Sequence, residues 1–263
     1  PDRHGRRSVL ELLTGHPSVG VVATETTDGD LHPWRVEPGR LRRRQRGLID
    51  RPWAMARQVH GRAIWHVPLR SVDQHDQATM PPVGPEADVV VLDRPDARPD
   101  TPSDARSGSL SGGLRRAPAV AVWAADCATA LLVGEDRIVA VHAGWRGLAG
   151  GVIDAAVDLA TTDGRTVSAV VAGPTIRPCC YEFSAAELEQ VAAGVAASIE
   201  SIAATTTVGT PALDVDAAVD AALARRSLTV TTRAPGCTGC GGRWFSHRAR
   251  LDSGRHALVG WWR

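Results

Sequence analysis

The chain of 263 residues contains no Lys and no Asn, one Tyr and two Phe. All thirty basic residues are therefore Arg, set against twenty-nine Asp and Glu. Without Lys there is no P-loop lysine, no Schiff-base amine and no pyridoxal phosphate anchor. The near balance of charge argues against a general nucleic-acid sleeve. No run of about 18 apolar residues is present, so no membrane-crossing helix is expected. Pro1 to Leu13 carries Arg and Glu where a secretory segment would be apolar. This points to a cytoplasmic protein. Five Cys, an odd number, fit reduced thiols or thiolate ligands better than a disulfide framework.

What is present is patterned. Short apolar runs at 119–124, 129–133, 137–142 and 168–172 read as buried strands. Residues 19–25 read as another. Helical spacing marks 151–162, 185–203 and 214–226, the last with Asp214 as N-cap. Residues 227–232 and 256–263 read as closing strands. The irregular interleaving predicts an α+β, or mixed α/β, fold. Residues 93–118, rich in Pro, Gly, Ser and Asp, read as a flexible surface insertion, because the segments on either side look like strands of one sheet. Residues 35–62 carry nine Arg against Glu37 and Asp50, which reads as a solvated face before it reads as an anion patch.

Three segments carry chemistry. They are Gln58-Val59-His60-Gly61, Ala125-Asp126-Cys127 and His142-Ala143-Gly144-Trp145-Arg146-Gly147. One Cys and two His at strand ends offer three zinc ligands and leave a fourth position open, although the spacing matches no local zinc signature. The third segment is a glycine loop leading into a helix, with Arg146 as a bidentate donor, and so offers a phosphate site around Arg146 and Gly147. Cys237-Thr238-Gly239-Cys240 is half of a structural zinc site. The adjacent Cys179 and Cys180 are poorly spaced to complete it, so these loops are expected to be ordinary structural ones.

Together with Gly173–Phe183 and Trp244–Arg248, these segments resemble the YfiH, or laccase-domain, family. That family is also called multicopper polyphenol oxidase-like and, more recently, purine nucleoside phosphorylase. The resemblance covers residues 58–263 and is poor over 1–54. It implies one YfiH-like domain over 1–263, of mixed sheets flanked by helices. It places metal ligands on His60, Cys127 and His142, with zinc as the ion. It implies phosphorolysis of purine nucleosides such as adenosine, inosine and methylthioadenosine, with phosphate as co-substrate. Adenosine deamination is also attributed to the family, and here Asp126 is the candidate base. Gln58 and Arg248 are expected to line the pocket. Neither nucleic acid nor membrane is an expected partner.

Other readings use the same residues. True laccase chemistry needs a dense set of His ligands, and none of the nine His forms a His-x-His pair, so copper is disfavoured. A cytidine-type deaminase needs His-x-Glu, which is absent. Cys127 with His142 or His60 also suits a thiol amide hydrolase acting on peptidoglycan precursors. A non-enzymatic metal-holding accessory protein is a third reading.

Overall fold

Strands whose residues are apolar on both sides need cover on both sides, and the layering of this molecule supplies it. The computed structural model describes residues 9–68, 83–95 and 117–263. In chain order the strands are β1 (Leu10–Glu11), β2 (Val19–Ala23), β3 (Trp53–Met55), β4 (Ile64–His66), β5 (Val89–Asp93), β6 (Ala119–Ala124), β7 (Ala128–Gly134), β8 (Arg137–Ala143), β9 (Val167–Ala172), β10 (Ala203–Thr205), β11 (Pro211–Leu213), β12 (Thr232–Arg233) and β13 (His256–Trp262). The helices are α1 (Pro38–Leu48), α2 (Trp145–Ala149), α3 (Val152–Thr161), α4 (Ala185–Val195), α5 (Ile199–Ile202), α6 (Val215–Ala224) and α7 (His247–Arg250).

Two mixed sheets form the centre. One has the order β1-β2-β13-β6-β3 and the other β12-β9-β7-β8-β5-β4. Pairing is parallel for β3 with β6, β4 with β5 and β9 with β12, and antiparallel elsewhere in both sheets. Alternate residues then divide between layers. Val120, Val122 and Leu258 of the first sheet pack with Leu131, Ile138 and Ala140 of the second, so the sheets face each other. Val139, Val141 and Leu132 point the other way, onto α3, α4 and α6. Ala121, Trp123 and Val259 point away from the second sheet, towards Leu41 of α1. The result is the expected α+β fold, a four-layer stack of helix, sheet, sheet and helices.

Side-chain caps open α1, α4 and α6, and the cap at Asp214 is the expected one. Ser184 and Glu187 form a capping box at α4, and Asp214 accepts from Ala217 N at 3.0 Å to open α6. Glu37 accepts from Gly39 N and Arg40 N, both at 2.7 Å, at the start of the Arg-rich α1.

Four expectations are corrected. Residues 185–203 are two helices, not one, because Ala196 adopts a left-handed conformation (φ 47°, ψ 49°) that ends α4. Of the strand expected at 227–232, only Thr232 enters the ladder, followed by Arg233. The segments flanking 93–118 do not share a sheet, since β5 belongs to the six-stranded and β6 to the five-stranded one. Arg146 and Gly147 do not precede a helix but lie inside one, α2, which Gly151 (φ 76°) separates from α3. Most of the 93–118 stretch lies outside the described residues. No helix among them is long and apolar enough to cross a membrane.

Candidate active site

The centre begins with Asp88, fully buried just before β5. Its carboxylate accepts from three successive backbone amides, Val59 N (3.2 Å), His60 N (3.0 Å) and Gly61 N (2.7 Å). The same carboxylate bonds His142 Nδ1 at 2.8 Å, and the Asp88 carbonyl accepts from His142 N, also at 2.8 Å. One side chain thus fixes both the Gln58–Gly61 turn and the imidazole at the end of β8. Burial opposes the ionised carboxyl most strongly. The hydrogen bond and charge of His142, with the amides of Gly61 and Val59, outweigh it and hold Asp88 below its usual range.

His60, Cys127 and His142 converge, with their ligand atoms all within 4.8 Å of one another. Cys127 Sγ lies 3.8 Å from His60 Nε2, and the two imidazoles meet edge to face at 4.9 Å. His60 is exposed and His142 is buried. Two non-glycine residues here hold positive φ, His60 at 62° and Asp126 at 106°, and each aims the ring or the thiol that follows. Gly144 is required by contact: a Cβ there would sit 2.5 Å from His60 Cδ2 and 3.3 Å from Cys127 Sγ.

The electrostatics favour a thiolate beside an imidazolium when no cation is bound. For Cys127, burial disfavours the anion, but the charge and hydrogen bond of His142, with help from His60, lower the thiol well below its usual value. For His142, burial disfavours the cation, but Cys127 and Asp88 raise it. Two imidazoles and a thiolate are the donors zinc and copper take, and Asp88 on Nδ1 leaves His142 Nε2 as the coordinating nitrogen. The donor set therefore fits a metal ion.

The other expected residues have defined places. Gln58 is buried, and its amide clamps the backbone of Trp123, donating to the carbonyl (2.6 Å) and accepting from the amide (2.9 Å). It anchors the turn to β6. Both Asp126 oxygens are engaged, one by Thr238 Oγ1 at 2.6 Å and the other by Arg248 N at 2.7 Å. Arg248 stacks on Tyr181 at 4.9 Å and donates to Glu182 O. Arg146 is exposed, with its guanidinium 4.3 Å from the Trp145 ring centroid. Gly147 packs towards the Gly61 carbonyl.

Asp88 carries the architecture of the centre, yet nothing in its own segment marks it as more than an acid entering an apolar strand. The signal available in the sequence was an Asp immediately before Val89–Leu92, where an unpaired charge would be costly to bury. For the remaining cysteines, the structure overturns the spacing argument that kept Cys179 and Cys180 apart from Cys237 and Cys240. Cys179, Cys180, Cys237 and Cys240 form a second cluster, because folding places Pro178–Cys180 against the 237–240 turn.

Comparison with known proteins gives the family and the fold. Residues 111–263 match the family described as multi-copper polyphenol oxidoreductase laccase, and the chain belongs to that family. A purine nucleoside phosphorylase of Streptomyces griseus is 38% identical over 151 residues, 56% of this chain and 60% of that protein's length. The match thus spans about three fifths of that relative. A purine nucleoside phosphorylase of Xylella fastidiosa is 30% identical over 96% of this chain and 91% of its own. The crystal structure of YfiH from Bacillus licheniformis superposes with a TM-score of 0.72 at 18% identity, over 96% of this chain and 99% of that one. The fold is that of a single YfiH-like domain.

Proposed function

We propose that this chain is a zinc-dependent purine nucleoside phosphorylase, acting on adenosine, inosine and methylthioadenosine with phosphate. The carrying observation is the His60, Cys127 and His142 cluster backed by buried Asp88, in a chain whose relatives bear that enzyme name. In the reaction the glycosidic C–N bond breaks, a phosphate oxygen bonds the anomeric carbon, and the departing purine nitrogen takes up a proton. A bound zinc ion with an open position would supply Lewis-acid polarisation.

The protein's own residues do the rest. Asp88 holds His142 in one tautomer and pins His60 through its backbone amide. Gln58 locks the turn that carries His60. The exposed guanidinium of Arg146, stacked on Trp145, presents paired donors for phosphate, and Gly147 keeps α2 close to Gly61. Arg248, laid on Tyr181, lines the pocket. Adenosine deamination belongs to the same reading as a side reaction, with Asp126 as base in place of one of its present hydrogen bonds. Zinc suits the chemistry better than copper. Multicopper oxidation needs several His-rich sites, and the second candidate cluster among the described residues contains only cysteine.

One observation favours a second reading. Cys127, His142 and Asp88 are linked as nucleophile, base and orienting acid, with the thiol lowered by His142. That arrangement suits a thiol amide hydrolase acting on peptidoglycan precursors. A paired measurement separates the two. Purified protein is analysed for bound metal and assayed with the three nucleosides, with and without phosphate. About one zinc at the histidine cluster and phosphate-dependent release of free base support the phosphorylase. An alkylatable Cys127 in active, metal-free protein, with no nucleoside turnover, supports the hydrolase. Turnover of neither nucleosides nor muropeptides supports a metal-holding accessory role.

A further inference from the structure

Four of the five cysteines lie outside the centre just described, and their sulfurs stand at the corners of a small polyhedron. Cys179 Sγ is 3.7 Å from Cys180 Sγ, 3.7 Å from Cys237 Sγ and 3.6 Å from Cys240 Sγ. Cys180 and Cys240 are 3.5 Å apart, and no pair of the four exceeds 4.8 Å. A tetrahedral ion with metal–sulfur bonds of about 2.3 Å has sulfur–sulfur edges of about 3.8 Å. The cluster is already that size.

The surrounding backbone is shaped to hold sulfur anions. Arg177 N donates to Cys237 Sγ at 3.2 Å. Gly241 follows the second cysteine of the turn with φ 68°, so the chain can reverse away from the sulfurs. Between the paired cysteines, Gly239 is where the two loops meet. A Cβ there would lie 2.6 Å from Cys180 Cβ and 2.9 Å from its Sγ. One dication at the centre of this set would replace the sulfur–sulfur contacts with four metal–sulfur bonds.

We propose that Cys179, Cys180, Cys237 and Cys240 form a second, tetrathiolate metal site that binds Zn²⁺ and clamps the 173–183 loop to the 235–248 loop. The set is closed, with four protein ligands and no position for substrate, so its role is structural. On binding, each thiol releases its proton to solvent as its sulfur bonds the ion, and no electron transfer is involved. The clamp bears on the centre described above. Thr238, between Cys237 and Cys240, donates to Asp126, the residue before Cys127. Arg250 holds the same turn through Thr238 O and Gly239 O, both at 3.1 Å.

The test uses the reduced 263-residue chain loaded with zinc and freed of excess. Elemental analysis should find two zinc ions per wild-type chain. It should find one in Cys237→Ser/Cys240→Ser and one in His60→Ala/His142→Ala. Cobalt bound to the latter variant should show the strong thiolate charge-transfer absorption of a four-sulfur site. Wild-type protein supplies a measurement free of folding concerns. Zinc should shield these four cysteines from alkylation, read by mass spectrometry, and a chelator should expose them. A single zinc in the wild type that is lost only with His60 and His142 would overturn the proposal. So would alkylation of the four cysteines at equal rates with and without zinc.

Discussion

Two buried histidines end up in very different circumstances. His142 sits on β8 of the six-stranded sheet with Asp88 on its Nδ1 and Cys127 beside it. His256 opens β13 of the five-stranded sheet at 1% exposure, and among the described residues neither ring nitrogen has a hydrogen-bond partner. Burial penalises the imidazolium in both. At His142 the anionic neighbours reverse the penalty and raise the imidazole. At His256 burial is joined by repulsion from Arg255, and the imidazole falls to about 3. The contrast shows that a buried ring becomes chemically useful through its partner, not through its depth.

The strongest way to break this comparison is to exchange the fates of the two rings. His142→Ala should lower phosphate-dependent base release at least ~100-fold, a loss typical of removing one key stabilising group. His256→Leu should keep that activity within about twofold, because the ring serves packing against Trp244. Equal losses in steady-state assays would end the distinction. Next in size, Asp88→Asn should weaken zinc binding by ~10–100-fold, as loss of an orienting carboxylate does. Competition with a calibrated chelator reads this directly, and unchanged affinity would remove Asp88 from the account. Smaller again, Arg146→Ala should raise KM for phosphate about tenfold, the scale of one charge-assisted hydrogen bond, while KM for the nucleoside stays.

The smallest effect is on stability, and its sign follows from protonation. The folded His256 stays neutral down to about 3, whereas the unfolded imidazole protonates near 6.5. Between these values the unfolded state binds the extra proton, so this residue lowers stability as pH falls through 6.5. One pH unit below that point its share is about 1.4 kcal/mol. Denaturant melts of His256→Leu should therefore show a shallower acid decline than wild type. Parallel declines would show that the ring is solvated in the folded protein.

The sequence made part of this legible. Runs such as AVAVWA and RIVAVH announced buried strands, and the Asp214 cap announced α6. His60, Cys127 and His142 were a weak signal by themselves, since 67 and 15 residues separate them along the chain, and the resemblance sharpened it. Asp88 escaped because its role depends on β5 lying beside β8. The four-cysteine cluster escaped for a similar reason. Cys179 and Cys237 are far apart in sequence, and the Thr175–Cys237 bridge with the Arg177 contacts brings their loops together. The break at Ala196 was invisible because Ala is the best helix former, and its left-handed turn answers to packing beyond the helix.

The strand order β1-β2-β13-β6-β3 has a consequence for synthesis. Val22 pairs with Val259, and Ala121 pairs with Val259 from the other side. The middle of this sheet is therefore made last. At translation rates of about 5–20 residues per second, β2 waits on the order of tens of seconds for its partner. During that interval β2 and β6 offer apolar, unpaired edges to any strand nearby. A nascent chain stalled before residue 256 would hold β2 and β6 on a half-open scaffold, a ready target for chaperones or for aggregation.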